Sequence, residues 1–296
     1  MHSSIIAADI GGSHISSVPL HTKDWTIDQQ AICQTKTNSF GDKKTILKNW
    51  IHNLQQSASQ GNIQDKYQFA IAIPGPFDYE NGLFQQHPEG KLGSLVGTNF
   101  KKILLPYFGQ DLKISFENDA ACFGLGEACF GLSKNHARSI GITLGTGIGS
   151  SFIANQTIIK EGKNLPQGGE LYAASYQNGI ADDYFSTRWF VQQAQKDLSL
   201  QINGVRELLQ EADREYLQQV FKKFATNLHQ FLLPYAKKFN ASTIIVGGNI
   251  SKAWSYYGPT LTALFAKEAI RIQPSVLNEQ AIMLGAAKVF TQQFST

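Results

Sequence analysis

The sequence predicts an α/β chain with a duplicated organisation, on three observations. Two segments about half a chain apart, IIAADIGGSHISSVPL (residues 5–20) and SIGITLGTGIGSSFIA (residues 139–154), each read as an apolar strand, a Gly/Ser/Thr turn and a second strand. Short apolar strands alternate with segments of helical period along the chain. A third glycine cluster, Gly247-Gly248-Asn249, follows a strand and precedes a helix. Glycine turns of this kind expose several backbone N–H groups with no side chain in the way, which suits them to phosphate oxygens. Their repetition points to a duplicated fold that closes around a nucleotide.

Each element has its own signal. After the first hairpin, residues 25–36 supply a third strand. Residues 42–60 form a helix, because Ile46, Leu47, Trp50, Ile51 and Leu54 share one face. A strand over 67–73 stops at Pro74-Gly75-Pro76. Residues 77–100, rich in Gly, Pro, Asn and His, read as loops of the kind that form binding rims. Residues 112–116 are a strand that meets Glu117-Asn118-Asp119, and a small-residue helix covers 120–128. Beyond the second hairpin, 161–178 is loop and 182–196 helix. A long amphipathic helix carries an apolar stripe from Leu217 to Tyr235, which serves as core or as a subunit contact. A buried strand over 242–246 precedes the third glycine cluster, and the chain closes with a helix over 279–290.

A chain of 296 residues can bury a large core and splits into two lobes. With 42% hydrophobic and 17% charged residues it has an ordinary soluble composition. A net charge of +3, with no basic run, argues against nucleic acid and anionic membranes as partners. The three cysteines, Cys33, Cys122 and Cys129, lack metal-ligand spacing and read as buried thiols in a reducing cytoplasm. The first residues carry no signal-peptide pattern, and no apolar run reaches the ~18 residues of a membrane span.

The run Gly145-Thr146-Gly147-Ile148-Gly149 is not a dinucleotide fingerprint, since a strand, not a helix, follows it; nor is there the Gly-Lys-Ser/Thr ending of a P-loop. The chain instead resembles the sugar-kinase branch of the actin-like ATPase superfamily, and within it the ROK family (repressors, open reading frames, kinases). The resemblance spans nearly the whole chain. It rests on Asp9-Ile10-Gly11-Gly12-Ser13, Pro74-Gly75-Pro76, Asn118-Asp119-Ala120, Leu144 to Ser150, Gly169 with Glu170, and Val246-Gly247-Gly248-Asn249-Ile250-Ser251. It implies a two-lobed actin-like (ribonuclease H-like) ATPase fold with duplicated mixed β-sheets and an interlobe cleft. Residues 1–117 with 282–296 would form the N-terminal lobe, holding the first phosphate turn and part of the sugar site. Residues 118–281 would form the C-terminal lobe, with the second turn, the adenosine motif and a dimerisation surface.

The chemistry this resemblance implies is phosphoryl transfer from ATP to a hexose hydroxyl, which needs in-line positioning, charge neutralisation and a base. Asp119 is the expected general base, kept ionised by the positive end of the helix that follows; alternatively it caps that helix. Asp9 would orient Mg²⁺ through water, or else stabilise its own turn. Gly11, Gly12, Ser13, Thr146, Gly147 and Gly149 would meet ATP phosphates. Gly247 and Gly248 would admit the adenosine, with a purely conformational role as the alternative for each glycine. His14 would touch a phosphate or simply be a solvated strand residue. For the sugar the resemblance implies Gly75, Asn118, Asp119, Glu170 and, in the place of a family glutamate, Asp182.

The sequence departs from the family pattern at one loop. Family kinases carry Gly-Glu-x-Gly-His followed by a zinc-binding cysteine cluster; here Gly169-Glu170-Leu171-Tyr172-Ala173 puts Ala173 where the histidine belongs, and no cysteine follows Cys129. No structural zinc is expected, and packing through Tyr172, Tyr176 and Tyr184 must hold the loop. The loss bears on sugar preference rather than on the base or the phosphate turns. A homodimer is expected from family likeness and the apolar stripe. The alternatives are a sugar-sensing regulator, which would need a DNA-binding segment ahead of the strand beginning at Ile5, and a silent sugar- or nucleotide-binding protein.

Overall fold

The computed structural model describes residues 4–85, 91–163 and 165–294. Two compact units are present: Met1–Cys122 with Glu279–Thr296, and Phe123–Asn278.

In the first unit, β1 (Ser4–Ile10), β2 (His14–His21) and β3 (Cys33–Lys36) form an antiparallel meander. Helix α1 (Lys43–Gln60) starts at Asp42, whose carboxylate accepts from the Thr45 N–H at 2.9 Å. Its buried face carries the expected Ile46, Leu47, Trp50, Ile51 and Leu54, and also Asn53, a polar residue that the apolar pattern skips. Asn53 donates to the Cys33 carbonyl and the Thr35 hydroxyl, both at 3.1 Å, and so ties the helix to β3. The chain then passes through β4 (Gln68–Ala72), a short hairpin of β5 (Phe77–Asp78) and β6 (Leu83–Phe84), α2 (Phe100–Phe108) and β7 (Lys113–Glu117). Strands β4 and β7 run parallel to β1, so the sheet order is β3-β2-β1-β4-β7. Phe69, Phe100, Phe116 and Trp50 fill the core. The stretch 77–100, expected to be loop, carries this hairpin and a 3-10 turn at Gly93–Leu95; its residues 86–90 lie outside the described residues. Helix α2 was not foreseen.

The second unit repeats this plan. Helix α3 (Asp119–Phe130) begins in the first unit and ends in the second. There β8 (Arg138–Leu144), β9 (Ile148–Ala154) and β10 (Thr157–Ile158) form a second meander. After the small hairpin β11 (Ser175–Tyr176) and β12 (Gly179–Ile180) come α4 (Ala181–Tyr184), α5 (Thr187–Leu198), α6 (Val205–Glu211) and α7 (Arg214–Phe239). The single helix expected over 182–196 is thus two, interrupted at Phe185 and Ser186. Then β13 (Thr243–Gly247), α8 (Trp254–Ala266) and β14 (Arg271–Pro274) complete the order β10-β9-β8-β13-β14, with β13 and β14 parallel to β8. The last helix, α9 (Glu279–Phe294), packs on β1, β4 and β7 of the first unit.

The stripe on α7 is spent within this unit: Leu217, Phe221, Phe224, Leu228 and Leu232 are buried in its core, so the stripe lends no support to a dimer. Tyr176 packs edge-on against Tyr184 at 5.1 Å and Phe231 at 5.5 Å, holding the small hairpin. Tyr172, expected in that cluster, is 50% exposed instead. All three cysteines are buried and none is in a disulfide among the described residues. Among the described residues no helix is long and apolar enough to cross a membrane.

Candidate active site

Asp9 lies near the end of β1 with neighbours on both sides, Ser16 of β2 and Ala72 of β4, and is buried. Its carboxyl is pushed up to about 8, first by burial, then by the charges of Asp119 and Glu279. Glu279, the first residue of α9, is the acid that sequence reasoning missed; 160 or so positions of chain separate it from Asp119 and no local pattern marks it. Among the described residues no three His, Cys, Asp or Glu side chains are grouped to hold a metal by themselves. A buried carboxyl with two further acids near it does fit a magnesium ion that keeps most of its shell as water and phosphate oxygen.

The first glycine turn is tied down from behind. The Gly11 N–H donates to the His14 carbonyl at 2.9 Å, while the carbonyls of Gly12 and Ser13 accept from Ser39 and Thr37 at 3.2 and 2.8 Å. Gly12 and Ser13 are exposed. A Cβ added to Gly11 or Gly12 would meet nothing nearer than 3.5 or 3.8 Å, so the protein's own packing does not require glycine at either position. The His14 ring Nδ1 and the Ser13 hydroxyl are 3.0 Å apart.

Asn118 and Asp119 sit where β7 passes into α3. Asn118, not Asp119, caps the helix, accepting from the Ala121 N–H at 3.1 Å. The Asn118 amide also donates to the Tyr79 hydroxyl at 3.3 Å, and Tyr79 in turn donates to the Ile73 carbonyl at 3.2 Å. Tyr79, which the motifs do not include, therefore links Asn118 to the strand end just before Pro74-Gly75-Pro76. Asp119 accepts from the Ala120 N–H at 2.8 Å. The helix start was expected to keep this acid readily ionised. Burial outweighs it: desolvation raises the Asp119 carboxyl above its ordinary range, and the Ala120 hydrogen bond offsets only part of that.

In the second unit, Thr146 is exposed at the tip of the β8–β9 turn, the Gly145 N–H donates to the Gly147 carbonyl at 2.9 Å, and Gly149 lies within β9 opposite Thr143. An added Cβ at Gly145 would meet nothing within 4 Å. Thr187, opening α5, braces the turn by donating its N–H and its hydroxyl to the Gly145 carbonyl at 2.7 and 2.9 Å. Asp182 accepts from the Ile148 N–H at 2.8 Å. The loop bearing Glu170 is pinned by Ser150, whose hydroxyl donates to Gly169 O at 2.8 Å and accepts from Leu171 N at 2.9 Å, leaving the half-buried Glu170 between the two ties. Gly169 itself has φ 74°, a conformation glycine adopts without strain.

Gly247 and Gly248 have packing reasons of their own. A Cβ on Gly247 would lie 2.5 Å from the Phe123 ring, and Gly248, at φ 83°, comes against the Leu144 backbone, with its amide nitrogen 2.7 Å from an added Cβ. Of the two roles left open for these glycines, the conformational one is thus sufficient.

The ROK family pattern matches residues 5–293. A glucokinase of Thermotoga maritima is 24% identical, with 98% of each chain covered. The crystal structure of a ROK family glucokinase from Streptomyces griseus, in complex with glucose and AMPPNP, superposes with a TM-score of 0.76 at 19% identity, covering 98% of this chain and 100% of that one. A ROK hexokinase from Thermus thermophilus gives a TM-score of 0.76 at 16% identity, with 99% of both chains covered. The fold is the α/β actin-like one shared by these structures.

Proposed function

The chain belongs to the ROK family, and from that premise we propose that it is a sugar kinase, transferring the γ-phosphoryl group of ATP to a hydroxyl of a glucose-like hexose or N-acetyl aminosugar. The observation that supports this most is Asp119: an acid held at a helix start, free of the capping duty that Asn118 performs, with a carboxyl raised by burial. A raised carboxylate is a stronger base, and general-base catalysis is most effective when its pKa approaches the working pH. Asp119 accepts the proton of the attacking hydroxyl; Asn118, fixed through Tyr79, and Glu170, fixed through Ser150, orient the sugar together with the Gly75 backbone. A neutral amide and carboxylates suit this task because each sugar hydroxyl both donates and accepts. Gly11, Gly12 and Ser13 in the first unit, and Thr146, Gly147 and Gly149 in the second, serve the ATP phosphates, with His14 beside the first set. Gly247 and Gly248 shape the backbone for the adenosine. Asp9 is the residue that would hold Mg²⁺, which neutralises phosphate charge when bound.

The test is ATP consumption across a panel of hexoses and N-acetyl aminosugars. Turnover of at least one sugar is expected. Sugar binding seen by calorimetry with no turnover of any sugar overturns the reading in favour of a silent binding protein. The turn can be probed separately. Gly12→Ala adds a methyl where the nearest atom would be Ser39 Oγ at 3.8 Å, so folding should be unaffected. The KM for ATP should rise roughly tenfold, because the methyl occupies the approach of the phosphate to the backbone. An unchanged KM for ATP would remove Gly12 from the site.

A further inference from the structure

We propose that Asp182, which the family resemblance assigns to the sugar, serves the nucleotide side instead, and that Arg188 is the positioning residue that makes this possible. The inference rests on the kinase reading and reassigns one residue within it.

Both oxygens of the Asp182 carboxylate are engaged in the second unit. Oδ1 accepts from the backbone N–H of Ile148, the residue that leaves the glycine turn, at 2.8 Å; Oδ2 accepts from Arg188 Nη2, also at 2.8 Å. The missing side chain of Gly147 is what lets the acid in, since a Cβ there would stand 2.6 Å from Asp182 Oδ1. The same α4–α5 junction holds the other side of the turn through Thr187 and Gly145, and the Ser186 hydroxyl donates back to the Asp182 carbonyl at 2.6 Å. The turn is therefore gripped at its first and last residues by one short segment.

The charges decide the role of Arg188. A carboxylate placed against a turn that receives phosphates would repel them, and the repulsion is strong at hydrogen-bond range. The Arg188 guanidinium cancels that charge on Oδ2, with its second nitrogen 3.8 Å from Asp183. The pair thus gives the turn a rigid acceptor for Ile148 with the Asp182 charge balanced by Arg188, while Asp183 is turned to the Ile180 N–H.

The experiment compares Arg188→Ala, Asp182→Asn and the double variant, by KM for ATP, KM for the sugar, and calorimetric titration of AMPPNP without sugar. In Arg188→Ala the KM for ATP and the AMPPNP dissociation constant should each rise roughly three- to tenfold, a modest range because the guanidinium is partly exposed. The KM for the sugar should stay within about twofold in the same variant. Adding Asp182→Asn to Arg188→Ala should restore part of the loss, since asparagine keeps an acceptor for Ile148 and removes the uncancelled charge. A purely structural role would move the sugar KM and the melting temperature along with the ATP KM, whereas here loss and rescue are confined to the nucleotide. A rise in sugar KM with ATP unaffected returns Asp182 to the sugar, and an unrescued double variant or unchanged AMPPNP binding also overturns the proposal. Should the wild-type chain turn over no sugar, the kinase reading fails, while the AMPPNP titrations still decide the role of this pair.

Discussion

Asp119→Asn is expected to lower kcat by roughly 10²–10⁴-fold while changing the sugar's KM only a few-fold, because the amide keeps the shape and a hydrogen-bonding edge but cannot take a proton. The pH profile supplies the second reading. In the proposed role of general base Asp119 works only when deprotonated, and burial raises its pKa. The acidic limb of kcat/KM should therefore lie above the ordinary carboxylate range, with activity falling as pH drops through it. The variant should lose the part of that limb that Asp119 contributes, leaving the part that Asp9 contributes. Removing the charge at Asp119 also lets Asp9 ionise more readily, because Asp119 is one of the charges holding the Asp9 carboxyl up. A variant retaining more than about a tenth of wild-type kcat would show that another group takes the proton.

Gly285→Ala carries the largest expected effect on stability. Gly285 is buried in α9, and an added Cβ would collide with the carbonyl oxygen of Cys122 and lie 2.6 Å from its carbonyl carbon. The obstacle is the backbone of α3, and α9 cannot retreat, since it lies on three strands of the first sheet. An alanine in a helix interior normally gains about 1 kcal/mol over glycine. Here overpacking against backbone should outweigh that gain and leave a net loss of roughly 2–4 kcal/mol. The melting temperature should drop by about 5–10 °C. Gly93→Ala is the control: nothing lies within 4 Å of its added Cβ, and the change should be near neutral. If Gly285→Ala melts within a degree or two of wild type, the close approach of α9 to α3 is not what the packing implies.

The glycine turns, the alternation of strands and helices, and the Asn118–Asp119 corner were legible because each is written in adjacent residues. Periodicity placed α1 almost to the residue, and the two similar hairpins announced two sheets of the same order. Helices α2 and α6 and strand β14 escaped because their short runs carry weak patterns beside glycine- or proline-rich neighbours. The break between α4 and α5 escaped for another reason: Ser186 and Thr187 are committed to bonds with Asp182 and with Gly145, 42 positions back.

What the sequence determined by itself was the class of fold, the repeated sheet and the family to which the chain belongs. The tertiary structure alone decided their state: which residue caps α3, that Glu279 raises Asp9, that Asp182 faces a backbone amide, and which glycines are there for packing. Propensity and turn chemistry act between near neighbours in the chain. Desolvation, charge–charge interaction and steric exclusion act between near neighbours in space, and those exist only once the chain has folded.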